Sequence, residues 1–277
     1  MPSRSVRQRL RRIGVRRVYR SDAAAVRMRV ERRALTAIHA RRTAPAPLRD
    51  RILCYHAVGT PSWGANNVPP QRFARQLDLA HAAGYRFAAP HEVASTASHT
   101  TGDAPRLAIT FDDGLKSVRT HAWPLLATRG IPCTIFVVSD WTDAASQDAS
   151  SVLLGWDELA RLVAEGVRIG SHSRSHRDFM TLSSAEVEEE LSTPRRAIAA
   201  RLGIDAREFA IPYGQSMNWD ASLSTRARHA GYDVLYAQSV LRRPAGTVAR
   251  TFVTRFDDDR TFVAALEGAF DDWEEWV

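Results

Sequence analysis

Short apolar runs alternate with helical segments from Arg51 onward, and polar motifs stand directly after the runs. The run Leu107–Phe111 leads into an Asp-Asp-Gly sequence, and Val167–Gly170 leads into the histidine motif Ser171–His176. Strands that alternate with helices predict a parallel sheet with helical crossovers. In a closed barrel, and equally in an open doubly wound sheet, residues that follow the strands gather at one edge. We therefore expect the two motifs to meet in space.

The residue types in these motifs suit a one-metal hydrolase. One carboxylate and two imidazoles hold a divalent ion on one face and leave positions open for water and substrate. Asp112 and Asp113 supply two carboxylates, and His172 and His176 supply two imidazoles. The carboxylate that does not bind metal is then free to act as a base. Asp-Asp-Gly alone is often a turn, and two histidines four apart are often surface residues, so the prediction depends on both motifs together.

The charge of the chain is concentrated at its beginning. The 277 residues carry a formal charge of +7. Residues 1–50 contain 15 arginines and only three acids, which gives +12, so the remainder carries 7 − 12 = −5. We predict an Arg-rich N-terminal extension with a linker over residues 1–50, and a catalytic barrel domain over residues 51–277.

The extension has several interpretations. Val26 and Val30 fall at helical spacing, and a basic amphipathic helix could contact an anionic membrane through residues 1–43. A solvated arm is the alternative. Tyr19 is the sole aromatic residue of this arm, so base stacking, and with it sequence-specific nucleic-acid binding, is not expected. Deleting residues 1–43 is expected to leave turnover unchanged.

The sequence also bears on location. No stretch approaches the ~18–20 apolar residues of a membrane span, and arginines interrupt the N-terminus too often for the apolar core of a signal peptide. We expect a cytoplasmic protein, peripheral to the membrane if the arm binds there.

The two cysteines, Cys54 and Cys133, lie in apolar runs and are expected to be buried free thiols. The sequence leaves the oligomeric state open.

Three motifs together resemble those of the polysaccharide deacetylases, which form carbohydrate esterase family four. They are Thr110–Gly114 (TFDDG), Ser171–His176 (SHSRSH) and Phe209–Gly214 (FAIPYG). The beginning of the domain, Leu53–His56 (LCYH), resembles the branch that acts on exopolysaccharides and cell-surface glycans. The resemblance runs from about Arg51 to the end of the chain. It implies a distorted (β/α) barrel of about seven parallel strands.

The resemblance also implies an activity and a cofactor. The activity is hydrolysis of N-acetyl groups on an amino-sugar glycan or glycan precursor, by a metal-activated water that attacks the amide carbonyl. The cofactor is a divalent metal, zinc in many relatives, with cobalt or nickel as alternatives. The carbohydrate would be the main partner.

Roles are implied residue by residue. Asp113, His172 and His176 would bind the metal, and Asp112 would be the general base. Tyr213, which follows Pro212 in the third motif, would present its backbone N–H to the developing oxyanion.

The chain departs from the family at two positions. Many relatives carry a base-orienting arginine where this chain has Ala210, and Arg255, at the end of a strand predicted over 251–256, could replace it. A surface ion pair of Arg255 with Asp257 or Asp258 is the alternative. Many relatives also have a late general-acid histidine, which is absent here. His56, after the first predicted strand, could protonate the leaving amine, or it could be a structural histidine.

Three tryptophans lie in segments that look like loops, namely Trp63, Trp141 and Trp219. Each could stack on a sugar ring, and each could equally pack in the core.

Two other functions of the whole protein remain open. One is hydrolysis of another non-peptide amide on the same fold. The other is a non-catalytic glycan-binding barrel whose basic arm docks on a membrane.

Overall fold

The computed structural model describes residues 22–41, 48–95 and 103–274. Within these ranges the strands form one parallel sheet of nine strands and a separate pair. The strands are β1 (Arg51–Tyr55), β2 (Ala57–Val58), β3 (Asn67–Val68), β4 (Arg86–Phe87), β5 (Arg106–Phe111), β6 (Cys133–Val137), β7 (Arg168–Ser171), β8 (Glu208–Ala210), β9 (Val234–Ala237), β10 (Val248–Ala249) and β11 (Thr251–Phe252).

Helices connect most of the strands. They are α1 (Asp22–His39), α2 (Pro70–Ala82), α3 (Pro90–Ala94), α4 (Trp123–Ala127), α5 (Ser139–Ser146), α6 (Trp156–Ala164), α7 (Ser184–Leu202), α8 (Ala221–His229) and α9 (Asp259–Leu266). Short 3-10 turns lie at Pro61–Asn66, Phe179–Thr181 and Ser216–Asn218, and a π-helical turn lies at Val118–Ala122.

The sheet curls into a nearly closed barrel. Its order is β10-β9-β8-β7-β6-β5-β1-β11, with β4 paired to the first two residues of β5. The segment 248–252 reaches both edges, because β10 pairs with β9 and β11 pairs with β1. Because β10 and β11 belong to this one segment, the wall of the barrel has seven strand positions. This confirms the predicted parallel (β/α) barrel. Arg250 is the single residue between the two short strands.

The barrel interior is filled by side chains rather than by solvent. All residues of β1, β5, β6 and β8 are buried, as expected for strands covered on both faces. Gly170 in β7 is needed for this packing, because a Cβ there would lie 2.4 Å from the Phe136 ring of β6. Cys54 and Cys133 are buried free thiols, as predicted.

The helix α1 packs against the barrel through one buried face. Arg32 is 1% exposed and forms a two-pronged ion pair with Asp257, at 2.5 and 2.7 Å. Asp257 also accepts hydrogen bonds from the backbone N–H and hydroxyl of Thr254. The Arg32 guanidinium lies over the rings of Phe270 and Trp273. Residues 22–39 are therefore integrated with the barrel, whereas residues 1–21 and 42–47 of the predicted extension lie outside the described residues.

Two further features concern elements away from the barrel interior. The helix α7 continues through Pro194 over 19 residues, begins at a Ser183–Glu186 capping box and ends at Gly203, whose φ is +69°. Among the residues that the structure describes, every helix is too short or too polar to span a bilayer.

Candidate active site

The ligand atoms of Asp113, His172 and His176 converge at the carboxyl ends of β5 and β7. One atom from each residue lies within 4.8 Å of the others. Asp113 Oδ1 lies 3.7 Å from Nε2 of both His172 and His176. Tetrahedral bonds of about 2.0–2.2 Å would separate the ligand atoms of an ion by roughly 3.4 Å. The three groups thus form a cradle of the size that a divalent ion requires.

The backbone around the cradle adopts conformations that side chains usually avoid. Asp113, Ser173, His176 and Tyr213 have φ values of 70°, 69°, 61° and 63°. Left-handed non-glycine residues cost free energy and cluster at functional sites. Four of the five such residues in the described chain lie in the three sequence motifs. The strain therefore falls on the segments that aim the polar side chains.

The protonation states suit cation binding. His172 Nδ1 lies 2.8 Å from the carbonyl oxygen of Ala210. Since a carbonyl can only accept, Nδ1 carries the proton and Nε2 offers a lone pair toward Asp113. Burial lowers the pKa of both His172 and His176, which favours the neutral, metal-binding form.

Asp113 receives only weak charge compensation from the described residues, since Arg250 pairs with the neighbouring Asp112. Its Oδ1 is buried and receives no hydrogen bond from any residue that the structure describes. Burial and the neighbouring charge of Asp112 raise the pKa of Asp113 to about 8. A cation between Asp113 and the two imidazoles would supply the missing positive charge, so the residues present fit a divalent metal.

Asp112 is fixed by a buried arginine. Arg250 donates to Oδ1 at 2.7 Å and to Oδ2 at 2.8 Å, and the Cys54 thiol donates to Oδ2 at 3.3 Å. Burial opposes ionisation of Asp112, but the charge and hydrogen bonds of the Arg250 guanidinium, together with the nearby His172 and His56, outweigh it and hold the pKa of Asp112 well below its usual range. Oδ2 also lies 3.8 Å from His172 Nε2, so the ionised carboxylate borders the cradle.

The arginine beside Asp112 is Arg250 rather than the predicted Arg255. Arg255 is exposed, and its guanidinium lies over the Phe256 ring. The reason is that the strand predicted over 251–256 stops at Phe252, so Arg255 falls in the following loop. The sequence did carry a signal for Arg250. It interrupts the apolar run 248–253, and a buried arginine requires an anionic partner.

His56 and Trp63 both lie beside Asp113. His56 Nε2 is 4.0 Å from Asp113 Oδ2, and its ring contacts Phe252 edge to face. Trp63 Nε1 donates to the same Oδ2 at 3.4 Å. Trp63 is 1% exposed, so it orients the carboxylate instead of stacking on a sugar.

Trp219 does not serve as a sugar platform either. It is 2% exposed and packs against Phe179 and Phe209, with its indole N–H bonded to Ser224. Trp141, also buried, has a role that the sequence did not predict, because its ring stacks on that of His176 at 5.3 Å.

The third motif reaches the same site. The Tyr213 ring contacts the His176 ring edge to face at 4.8 Å, and its hydroxyl donates to the His176 carbonyl at 3.4 Å. Pro212 is buried, and Tyr213 is partly exposed. The left-handed Tyr213 and Gly214 turn the backbone sharply at this point.

A parallel barrel with an Asp-His-His cradle and an adjacent ionised carboxylate is typical of metal-dependent barrel hydrolases. The model of the family "Polysaccharide deacetylase" matches residues 99–235. The chain belongs to the polysaccharide deacetylase family, carbohydrate esterase family four.

Curated relatives match over part of their length. A chitooligosaccharide deacetylase of Sinorhizobium fredii is 29% identical over 130 residues, which is 46% of this chain and 54% of the relative. A chitin deacetylase of Pestalotiopsis is 33% identical over 107 residues, 38% of this chain and 33% of the relative. The chain therefore spans about a third to a half of the length of these relatives.

Solved structures match over nearly the whole barrel. IcaB from Ammonifex degensii is 27% identical with a TM-score of 0.63, covering 80% of this chain and 98% of that one. The Streptococcus pyogenes deacetylase PplD has a TM-score of 0.67 at 20% identity, with 79% and 99% covered. The likeness to IcaB fits the exopolysaccharide branch that the LCYH segment predicted.

Proposed function

We propose that the protein is a metal-dependent deacetylase that removes N-acetyl groups from an amino-sugar glycan or glycan precursor. The observation that carries the proposal is the pairing of two carboxylates with different partners. Asp113 faces His172 and His176, and its Oδ1 has no donor within the described part of the chain, whereas Asp112 is held by Arg250. Asp113 is thereby suited to bind a cation, and Asp112 is suited to accept a proton.

Each residue then has a chemical task. Asp113, His172 and His176 would hold a divalent ion, with zinc, cobalt or nickel as candidates, and the ion would supply the Lewis acidity that polarises an amide carbonyl and acidifies water. Asp112 accepts the proton of the attacking water, and Arg250 keeps that carboxylate ionised and oriented. The Tyr213 N–H donates to the oxygen that becomes negative. His56 gives a proton to the departing amine, which completes hydrolysis to acetate and a free amino sugar.

Acetate release tests this function directly. The protein, stripped of metal and reloaded with zinc or cobalt, should release acetate from N-acetylglucosamine oligomers. The Asp112→Asn variant should lose turnover while the metal stays bound, and the exposed control Asp157→Asn should match the unaltered protein. Full activity of Asp112→Asn would refute the assignment of the base.

The same assay separates the other two functions. Release of formate from an N-formyl substrate, or opening of a cyclic amide, without any release of acetate would favour a different amide hydrolase. Saturable binding of oligomers with no turnover under any metal would favour a non-catalytic glycan-binding barrel. The paired Asp112 weighs against the latter, since binding alone has no need of a fixed, ionised carboxylate beside the cradle.

We further propose that the outward face of α1 docks on an anionic membrane. Val26, Val30 and Ile38 are 60%, 60% and 61% exposed, and they are three of the six large apolar side chains exposed in the described chain. Arg29 and Arg33 are exposed on the same helix. Exposed apolar side chains interleaved with arginines suit a surface of acidic lipid headgroups. A cytoplasmic, membrane-peripheral location remains part of this proposal.

A further inference from the structure

The loop that carries both metal-binding imidazoles needs support from outside itself. Ser173 and His176 within it are left-handed, a conformation that persists only when the surroundings enforce it. Part of the support comes from the beginning of α5, where the N–H groups of Ser139 and Asp140 donate to the carbonyls of Ser173 and Arg174. Those contacts hold the carbonyl side of the loop, and the N–H side requires acceptors.

Glu190 of α7 supplies these acceptors. Its Oε2 accepts the backbone N–H of Arg174 at 3.0 Å and of Ser175 at 2.9 Å. Its Oε1 accepts the Ser175 hydroxyl. Glu190 is only 4% exposed. A buried carboxylate engaged by three donors from two consecutive residues is a specific, charge-assisted contact rather than a solvated surface charge.

The contact of Glu190 with the loop lies between the two imidazoles in the sequence. Arg174 and Ser175 lie between His172 and His176, so Glu190 fixes the backbone that sets one imidazole relative to the other. The Arg174 side chain turns outward to Asp140 and Glu189 instead. The backbone N–H groups, and not the guanidinium, therefore connect the loop to Glu190.

We propose that Glu190 is a positioning residue that holds the HxxxH loop in its metal-binding geometry. This inference rests on the proposed metal site but not on the identity of the substrate. Outer contacts that orient metal ligands typically change metal affinity by about 10–100-fold when removed. Glu190 would act in this way through the loop backbone, without touching metal or substrate.

The test is a metal titration of the full chain in the absence of substrate. The Glu190→Gln variant removes the negative charge that strengthens the two N–H contacts and replaces one acceptor oxygen by an NH2 donor. We expect zinc, measured in competition with a chromophoric chelator, to bind about 10–100-fold more weakly. The visible absorption of bound cobalt should also change, because the coordination geometry relaxes. The neighbouring Glu189→Gln, which alters an exposed ion pair, is the matched control and should bind like the unaltered protein.

Several outcomes would overturn the inference. One is unchanged zinc affinity and an unchanged cobalt spectrum in a Glu190→Gln variant that unfolds as cooperatively as the control. If that variant does not fold, Ser175→Ala decides, since it removes only the hydroxyl bond, and unchanged zinc affinity there would contradict the role. An unaltered protein that binds no metal at all would instead refute the proposed site itself, and the inference with it. Normal metal binding without acetate release would leave Glu190 in its role and refute only the proposed activity.

Discussion

At the scale of single residues, the two adjacent aspartates differ because their surroundings differ. Asp112 meets a guanidinium, whereas Asp113 meets two neutral imidazoles and an indole N–H. The pKa of Asp112 is lowered and that of Asp113 is raised to about 8. Groups whose pKa values are driven apart in one cleft are candidates for distinct chemical roles. The sequence shows the pair but not which partner each carboxylate meets.

Arg250 and Arg255 provide a matched test of which arginine supports the base. Arg250→Lys keeps the charge but loses the two-pronged geometry. Loss of a charge-assisted hydrogen bond of about 1.5–3 kcal/mol should lower kcat for acetate release by roughly 10–100-fold. Arg255→Lys, at an exposed position, should stay within about twofold. A larger loss for Arg255→Lys than for Arg250→Lys, measured by steady-state kinetics, would contradict the assignment.

At the scale of elements, hydrophobic patterning predicted the long strands well, whereas the strand predicted over 251–256 ends at Phe252 and β10 was not predicted. The runs that became β1, β5 and β6 are mostly apolar and extend over five or six residues, so they stand out in the sequence. The closing strands β10 and β11 have two residues each, and pairing with two different edges defines them. That pairing depends on the tertiary structure and cannot be read from local sequence. For the same reason the sequence did not predict that Arg250 lies beside Asp112, although it did predict the role of Asp113.

Tertiary packing also decides the behaviour of two helices. A proline inside a helix usually kinks or breaks it, yet α7 runs through Pro194, which is buried together with Leu191 and Ile198. The helix α1 was expected to belong to a separate arm, yet Met28 and Arg32 are buried against the barrel. Deletion of residues 1–43 would therefore remove a packed helix, and we now expect it to lower stability.

The contribution of α1 can be measured with two adjacent arginines. Arg32→Met leaves Asp257 buried without its cation, and breaking such a pair typically costs about 3–5 kcal/mol in the free energy of unfolding. Arg33→Met alters an exposed side chain of the same helix and should cost within about 0.5 kcal/mol. Urea unfolding of both variants checks this. Equal stabilities for the two would show that α1 contributes little to the barrel.

At the scale of the whole molecule, parallel topology made the site predictable. All carboxyl ends of the barrel strands lie at one end, so motifs that follow β5, β7 and β8 had to meet there. The sequence therefore predicted that Asp112, Asp113, His172 and Tyr213 would lie together, as they do. It did not predict the contacts that orient them, because those come from distant parts of the chain, such as Arg250, Trp141 and Glu190.

The outward face of α1 leads to a prediction about membranes. The full chain should sediment with phosphatidylglycerol vesicles and not with phosphatidylcholine vesicles, because acidic headgroups attract its arginines. The Val26→Ser/Val30→Ser double variant, at two exposed sites, should weaken that binding without lowering stability. Increased salt should also weaken it. Binding that is equal on both vesicle types, or unaffected by the double substitution, would contradict docking through this face.

The central claim is that Asp113, His172 and His176 hold a cation while Asp112 stays outside its coordination shell. Anomalous scattering from a crystal of the zinc-loaded protein tests it most directly. We predict a peak about 2.0–2.2 Å from Asp113 Oδ1, His172 Nε2 and His176 Nε2, with Asp112 still bonded to Arg250. A zinc-loaded crystal whose peak lies elsewhere, or whose ion is bound by Asp112, would contradict the account.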